Sequence, residues 1–120
     1  MNILTLSDVI KHDNFTFALC TFIDEFKRSD YKQEMIENPP DEENAIKEHL
    51  CILVATAHKL ANDYDLEAPE WVEEDIYKMP QPIFAFNTEN KEYQDFLIQD
   101  TPYEFASKNI FHGANAVSRV

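Results

Sequence analysis

The strongest constraint in this chain is the run from Leu50 to Ala57, apolar apart from Thr56, inside the longer stretch Asp41 to Tyr64. On either side of the run the apolar residues return at helical spacing: Ala45, Ile46 and Leu50 before it, Ala57, Leu60, Ala61 and Tyr64 after it. A helix that is one-sided at its ends and apolar nearly all round in its middle needs neighbours on every side. The reading is therefore an all-α, single-domain helical bundle wrapped around one central helix. Pro39 and Pro40 end whatever precedes that helix, Asp41 is placed to cap it, and Glu42 and Glu43 suit the positive end of its dipole.

Upstream, residues 3 to 12 predict a short helix capped by Thr5 or Ser7, with Val9 and Ile10 on one side. A second helix opens at Asp13 or Asn14, because Phe15, Ala18, Leu19, Phe22, Ile23 and Phe26 form one apolar stripe opposite Asp24, Glu25, Lys27 and Arg28. A third runs from about Asp30 to Glu37. Downstream, Pro69 is expected at the first position of a short helix carrying Trp71 and Val72. Residues 79 to 88 hold Pro80 and Pro82 among large apolar side chains and read as an extended segment laid across the bundle, with no second strand to pair with. A helical turn from Asn90 to Ile98 should face Tyr93, Phe96 and Leu97 inward. In Thr101-Pro102-Tyr103-Glu104, threonine caps, proline takes the first helical position and glutamate reaches back. The tail from Asn109 to Val120, with Ile110 and Phe111, is expected to pack in order against the bundle.

The chain has 120 residues, a formal net charge of −13 and one glycine. A single glycine argues against a hairpin-built sheet protein and against a glycine-rich phosphate loop. The charge repels nucleic acid and membrane surfaces and favours a basic partner. The N-terminal apolar residues are broken by Ser7, Asp8 and Lys11, and no apolar run is long enough to span a bilayer, so the expectation is a cytoplasmic protein. Cys20 and Cys51 both lie in apolar helical patterns and read as buried, reduced thiols.

Four histidines raise the question of a metal. His49 and His58 stand nine residues apart, about two and a half turns, and point to opposite sides of their helix. Asn62, four residues beyond His58, is a poor zinc ligand. Asp63, Asp65 and Glu67 alternate as in a calcium loop, but Ala68 and Pro69 break that pattern. No serine or cysteine stands in a nucleophile motif, so no metal, no cofactor and no catalytic residue is assigned, and the chain is not read as an enzyme. The remaining feature is acidic. Asp63, Asp65, Glu67, Glu70, Glu73, Glu74 and Asp75 lie within thirteen residues that contain no basic side chain, around the only tryptophan, Trp71. These eight residues are the candidate partner-binding site, with the carboxylates for long-range attraction and the indole as anchor. Phe84, Phe86, Tyr103, Phe105 and Phe111 make the second half dense in aromatics, most of them expected in the core.

Leu66, Pro69 and Trp71, then Pro80, Pro82 and Phe84, then Thr101, Pro102 and Phe105, and finally Asn109, Ile110, Phe111, Ser118 and Arg119 form a pattern over about the last 60 residues. That pattern resembles a family of small helical bacterial proteins, some of them associated with toxin–antitoxin or phage-defence loci. Lys108 stands where the family has arginine before the Asn-Ile-Phe. The resemblance implies an antitoxin-like or regulatory protein-binding module and brings no catalytic residue. The alternative is a small enzyme or metal-binding protein of unknown class.

Overall fold

A computed structural model describes residues 5–113. They are mostly helical, with six α-helices and one two-stranded sheet. Helix α1, Leu6–Lys11, is opened by a capping box in which the Thr5 hydroxyl accepts from the Asp8 N–H and the Asp8 carboxylate accepts from the Thr5 N–H. Helix α2, Phe15–Arg28, starts on Asn14, whose side chain accepts from the Phe17 N–H, and buries Ala18, Phe22, Ile23 and Phe26 of the expected stripe. Helix α3, Lys32–Ile36, is a single short piece that buries Met35 and Ile36.

The central helix α4 spans Lys47–Asp63, six residues shorter at its start than the sequence suggested. Asp41 does not cap it. The Asp41 carboxylate instead accepts from the Glu43 N–H and pairs with Lys11 at 3.1 Å, and Asn44 turns left-handed with φ of 62°. Short polar side chains that bond their own backbone compete with helix here, and a residue in the left-handed region cannot continue one. From Leu50 onward the expectation holds: Leu50, Cys51, Leu53, Val54, Ala55, Ala57, Leu60 and Ala61 are all buried. The helix packs against α1, α3 and the later turn Tyr103–Ala106. Its exit needs no glycine. Asp65 takes φ of 55°, the Leu66 N–H reaches the Ala61 carbonyl at 2.8 Å, and the Asp65 N–H reaches the Asn62 carbonyl at 3.3 Å, the double closure of a Schellman turn.

Two short 3₁₀ turns follow, Glu70–Glu73 and Asp75–Tyr77, so Pro69 precedes a 3₁₀ turn and not an α-helix. The extended segment then finds a partner after all. Strand β1, Ile83–Phe84, runs parallel to β2, Ile110–Phe111, with Ile83 opposite Ile110. The pairing is possible because Asn109 adopts φ of 64° and turns the chain out of the preceding helix. Its amide donates to the Met79 carbonyl at 2.8 Å, the Met79 N–H donates to the Lys108 carbonyl at 3.0 Å, and the Ile83 N–H to the Asn109 carbonyl at 2.9 Å. The rings of Phe84 and Phe111 stack across the pair at 5.5 Å.

Helix α5, Lys91–Asp100, buries Leu97 but leaves Tyr93 and Phe96 exposed, stacked on each other at 6.2 Å. Helix α6, Tyr103–Ala106, is only one turn long. Thr101 closes α5 and does not cap α6: its hydroxyl donates to the Leu97 carbonyl at 2.6 Å and accepts from the Gly113 N–H at 3.0 Å. Pro102 is the cap residue, and Glu104 turns away to Asn62. Of the dense aromatics Phe105 is core, Phe84 and Phe111 are half-buried, and Tyr103 and Phe86 are exposed. Phe86 is 92% exposed with φ of 59°. Of the tail, Ile110 and Gly113 are buried and Phe111 is only half-buried, while residues 114 to 120, including Ser118 and Arg119, lie outside the described residues. Cys51 is buried and Cys20 only half-buried, both as free thiols. Among the described residues no helix is long and apolar enough to cross a membrane.

Candidate functional site: an acidic face over a buried seam

The acidic stretch is shaped by the apolar residues within it. Val72 and Tyr77 are buried against Leu50 and Val54 of α4, so each 3₁₀ turn is pinned by one inward side chain. The remaining positions are turned outward, and Asp63, Asp65, Glu67, Glu70, Glu73, Glu74 and Asp75 are all exposed. Two of them meet a lysine, Asp63 with Lys59 at 2.6 Å and Asp75 with Lys78 at 3.2 Å. The structure therefore gathers all seven predicted carboxylates along one chain segment at the surface.

Trp71 does not stand clear of the fold. Its indole N–H donates to the Glu37 carbonyl at 3.0 Å, and its ring meets Tyr77 edge-on at 5.9 Å. It packs against both groups of core residues, joining them, and is left half-buried. The exposed part of the ring, with Glu70 and Glu74, borders an open hollow of about 600 Å³. A second hollow of about 190 Å³ lies beside Gln33, Glu37, Glu67, Ala68, Pro69 and Glu70. An amphipathic ring with one edge dry and one edge wet, set among carboxylates, can receive a cationic or aliphatic side chain.

Beneath this face lies a seam of polar groups that was not assigned from the sequence. His58 on α4 is 6% exposed, and Lys108 just after α6 is 1% exposed. His58 Nε2 lies 3.9 Å from Glu73 Oε1, and the Tyr103 hydroxyl donates to the same oxygen at 3.4 Å. The Tyr103 ring stands edge-on to the imidazole at 6.2 Å. Asn62, one turn beyond His58, donates to Glu104 Oε2 at 2.6 Å. His58 Nδ1 is buried with no hydrogen-bond partner among the described residues.

Burial governs the electrostatics of the seam. It holds the His58 imidazole below its ordinary value of 6.5, helped by the positive charge of Lys108 and opposed by Glu104 and Glu73. It likewise lowers the Lys108 ammonium from 10.5, against the pull of Glu73 and Glu104. Burial alone would raise the Glu104 carboxyl, but the Asn62 hydrogen bond and the charges of Lys59 and His58 bring it below its usual range. An imidazole and an amine are groups that can serve as a base or a nucleophile. Both side chains lie buried beneath the surface. The one sequence signal is the His58–Asn62 spacing, which puts both on one side of α4 but does not mark them as buried.

The other histidines stand apart. His12 Nδ1 accepts from the Asn14 N–H at 2.9 Å, His49 stacks on Phe15 at 4.2 Å, and His112 follows β2 with its pKa lowered by burial. Among the described residues no three histidine, cysteine or carboxylate side chains converge as metal ligands would. No protein-family model, curated protein or solved structure matches this chain.

Proposed function

We propose that this chain is a protein-binding or regulatory module, not an enzyme, whose acidic face docks a basic partner protein. One observation carries the reading. Seven exposed carboxylates lie within thirteen residues of chain that include a half-buried tryptophan, whose ring borders an open hollow with Glu70 and Glu74, and only two of the seven are matched by a lysine among the described residues. Like charges held together on a short segment repel one another, a cost that a cationic partner relieves. The net charge of −13 gives the same preference at long range and opposes nucleic acid or an anionic membrane as partner. The resemblance of the second half to small bacterial proteins linked with toxin–antitoxin loci supports an antitoxin-like role in the cytoplasm, with a basic toxin as the partner.

The test is to recover the partner from native cells at low salt and compare its kinetics with three proteins. Reversing Glu73, Glu74 and Asp75 to lysine should slow association about tenfold or more and flatten its salt dependence, with little effect on folding. Trp71→Ala should instead speed dissociation, beyond what its loss of stability accounts for. Equal binding by the charge-reversed protein overturns the reading.

A further inference from the structure

Glu73 belongs to both halves of the site, and the inference rests on the docking reading above. It is an outward carboxylate of the acidic face, yet its Oε1 lies 3.9 Å from His58 Nε2 and accepts from Tyr103. We infer that His58 is a proton sensor for the acidic face: a proton taken up by the imidazole draws Glu73 inward, and a basic partner that holds Glu73 outward expels that proton.

The groups facing His58 decide which carboxylate responds. From the 3₁₀ turn comes Glu73, from α6 Tyr103 and Glu104, and from just beyond α6 Lys108, while Asn62 and Lys59 of α4 act on Glu104. Lys108 opposes the proton, while Glu73 and Glu104 favour it. Glu104 is already held by Asn62 at 2.6 Å. Glu73 is the exposed one, close to Nε2 and short of a hydrogen bond to it. Once Nε2 carries part of a positive charge, a shortened contact to Glu73 becomes charge-assisted and about twice as strong as a neutral one. A lysine of the partner competes for the same carboxylate, so proton and partner weaken each other's binding by the same factor. Burial lowers the His58 imidazole from its ordinary 6.5, so the change falls below that value.

Two measurements on the full chain test this. The first follows the His58 imidazole by NMR through a pH titration of the wild type and of Glu73→Gln, an exposed substitution that leaves the core intact. The sensor requires a lower His58 pKa in the variant, and an unmoved titration overturns it. The second measures binding of a short polylysine peptide at about pH 7.5 and about pH 5.5, either side of the ordinary imidazole range. Wild type should bind about two- to fivefold more weakly at the lower pH, the weight of one exposed ion pair. His58→Gln should lose that difference, and equal weakening in both proteins overturns the coupling. If polylysine fails to bind wild type at about pH 7.5, the docking surface itself falls. That failure is distinct from the sensor's, because the Glu73→Gln titration needs no partner.

Discussion

Lys108→Met should make this protein more stable. Lys108 is 1% exposed, and its ammonium forms no ion pair within 4.0 Å and no hydrogen bond among the described residues. The carboxylates of Glu73 and Glu104 attract it only at longer range, and Lys78 repels it. Taking a charge out of water costs several kcal/mol, and replacing buried charged groups by well-packed apolar ones of similar volume is often neutral or stabilising by about 1–4 kcal/mol. Methionine keeps the length and flexibility of the side chain, so no cavity opens. For a chain of this size the gain raises Tm by several degrees per kcal/mol. The pH dependence gives a second, independent signature. The folded-state pKa of Lys108 is below its ordinary 10.5, so between those two values the unfolded chain binds more protons than the folded one. Stability of the wild type therefore climbs as pH rises through that window, and the advantage of Lys108→Met shrinks. Urea unfolding followed by far-UV circular dichroism at neutral and alkaline pH measures both effects. A variant less stable than wild type at neutral pH, or one with the same alkaline rise, would refute the reasoning.

Two further substitutions or reactions probe the fold. Phe86→Gly should stabilise by about 0.5–1 kcal/mol, since the residue holds φ of 59° with 92% of its surface exposed and so stores left-handed strain without burying its ring. A loss of stability in the same unfolding assay would mean that the ring packs where the structure leaves it in solvent. Cys51 should react slowly with a thiol reagent in the native protein, because it is buried and burial raises its pKa, whereas half-buried Cys20 should react faster. Equal native rates in a labelling time course contradict this, and both thiols should react quickly once the chain unfolds.

The parts of the fold that were legible in the sequence are those set by periodicity. The stripe of α2 and the all-round burial of α4 followed from where the apolar residues recur, and Thr5 and Asn14 cap as their side chains allow. The missed caps share one cause: a polar side chain had a choice of partners, and it took another one. Asp41 had Lys11 and the Glu43 N–H to satisfy it, so α4 begins at Lys47. Thr101 was taken by the Leu97 carbonyl and Gly113, and Glu104 by Asn62, so the expected capping box never formed. The parallel pairing of Ile83–Phe84 with Ile110–Phe111 joins segments far apart in the chain, and no local pattern announces it. At the site, the seven carboxylates were plain from composition. The buried seam was not, because lysine and histidine at positions 108 and 58 carry no mark of burial until α4 and α6 are packed together.

The most direct measurement of the central claim uses the only tryptophan as its own reporter. Trp71 borders the hollow between Glu70 and Glu74, so a cationic chain seated on the acidic face touches its exposed edge. Titrating the protein with a short polylysine peptide at low ionic strength, while recording tryptophan emission, should give a saturable change. The change should vanish on adding salt to about 1 M, where screening reaches about 3 Å, and should be absent when Glu73, Glu74 and Asp75 are reversed to lysine. An emission that never responds, or responds equally in the charge-reversed protein, would contradict the assignment of this face as a docking surface.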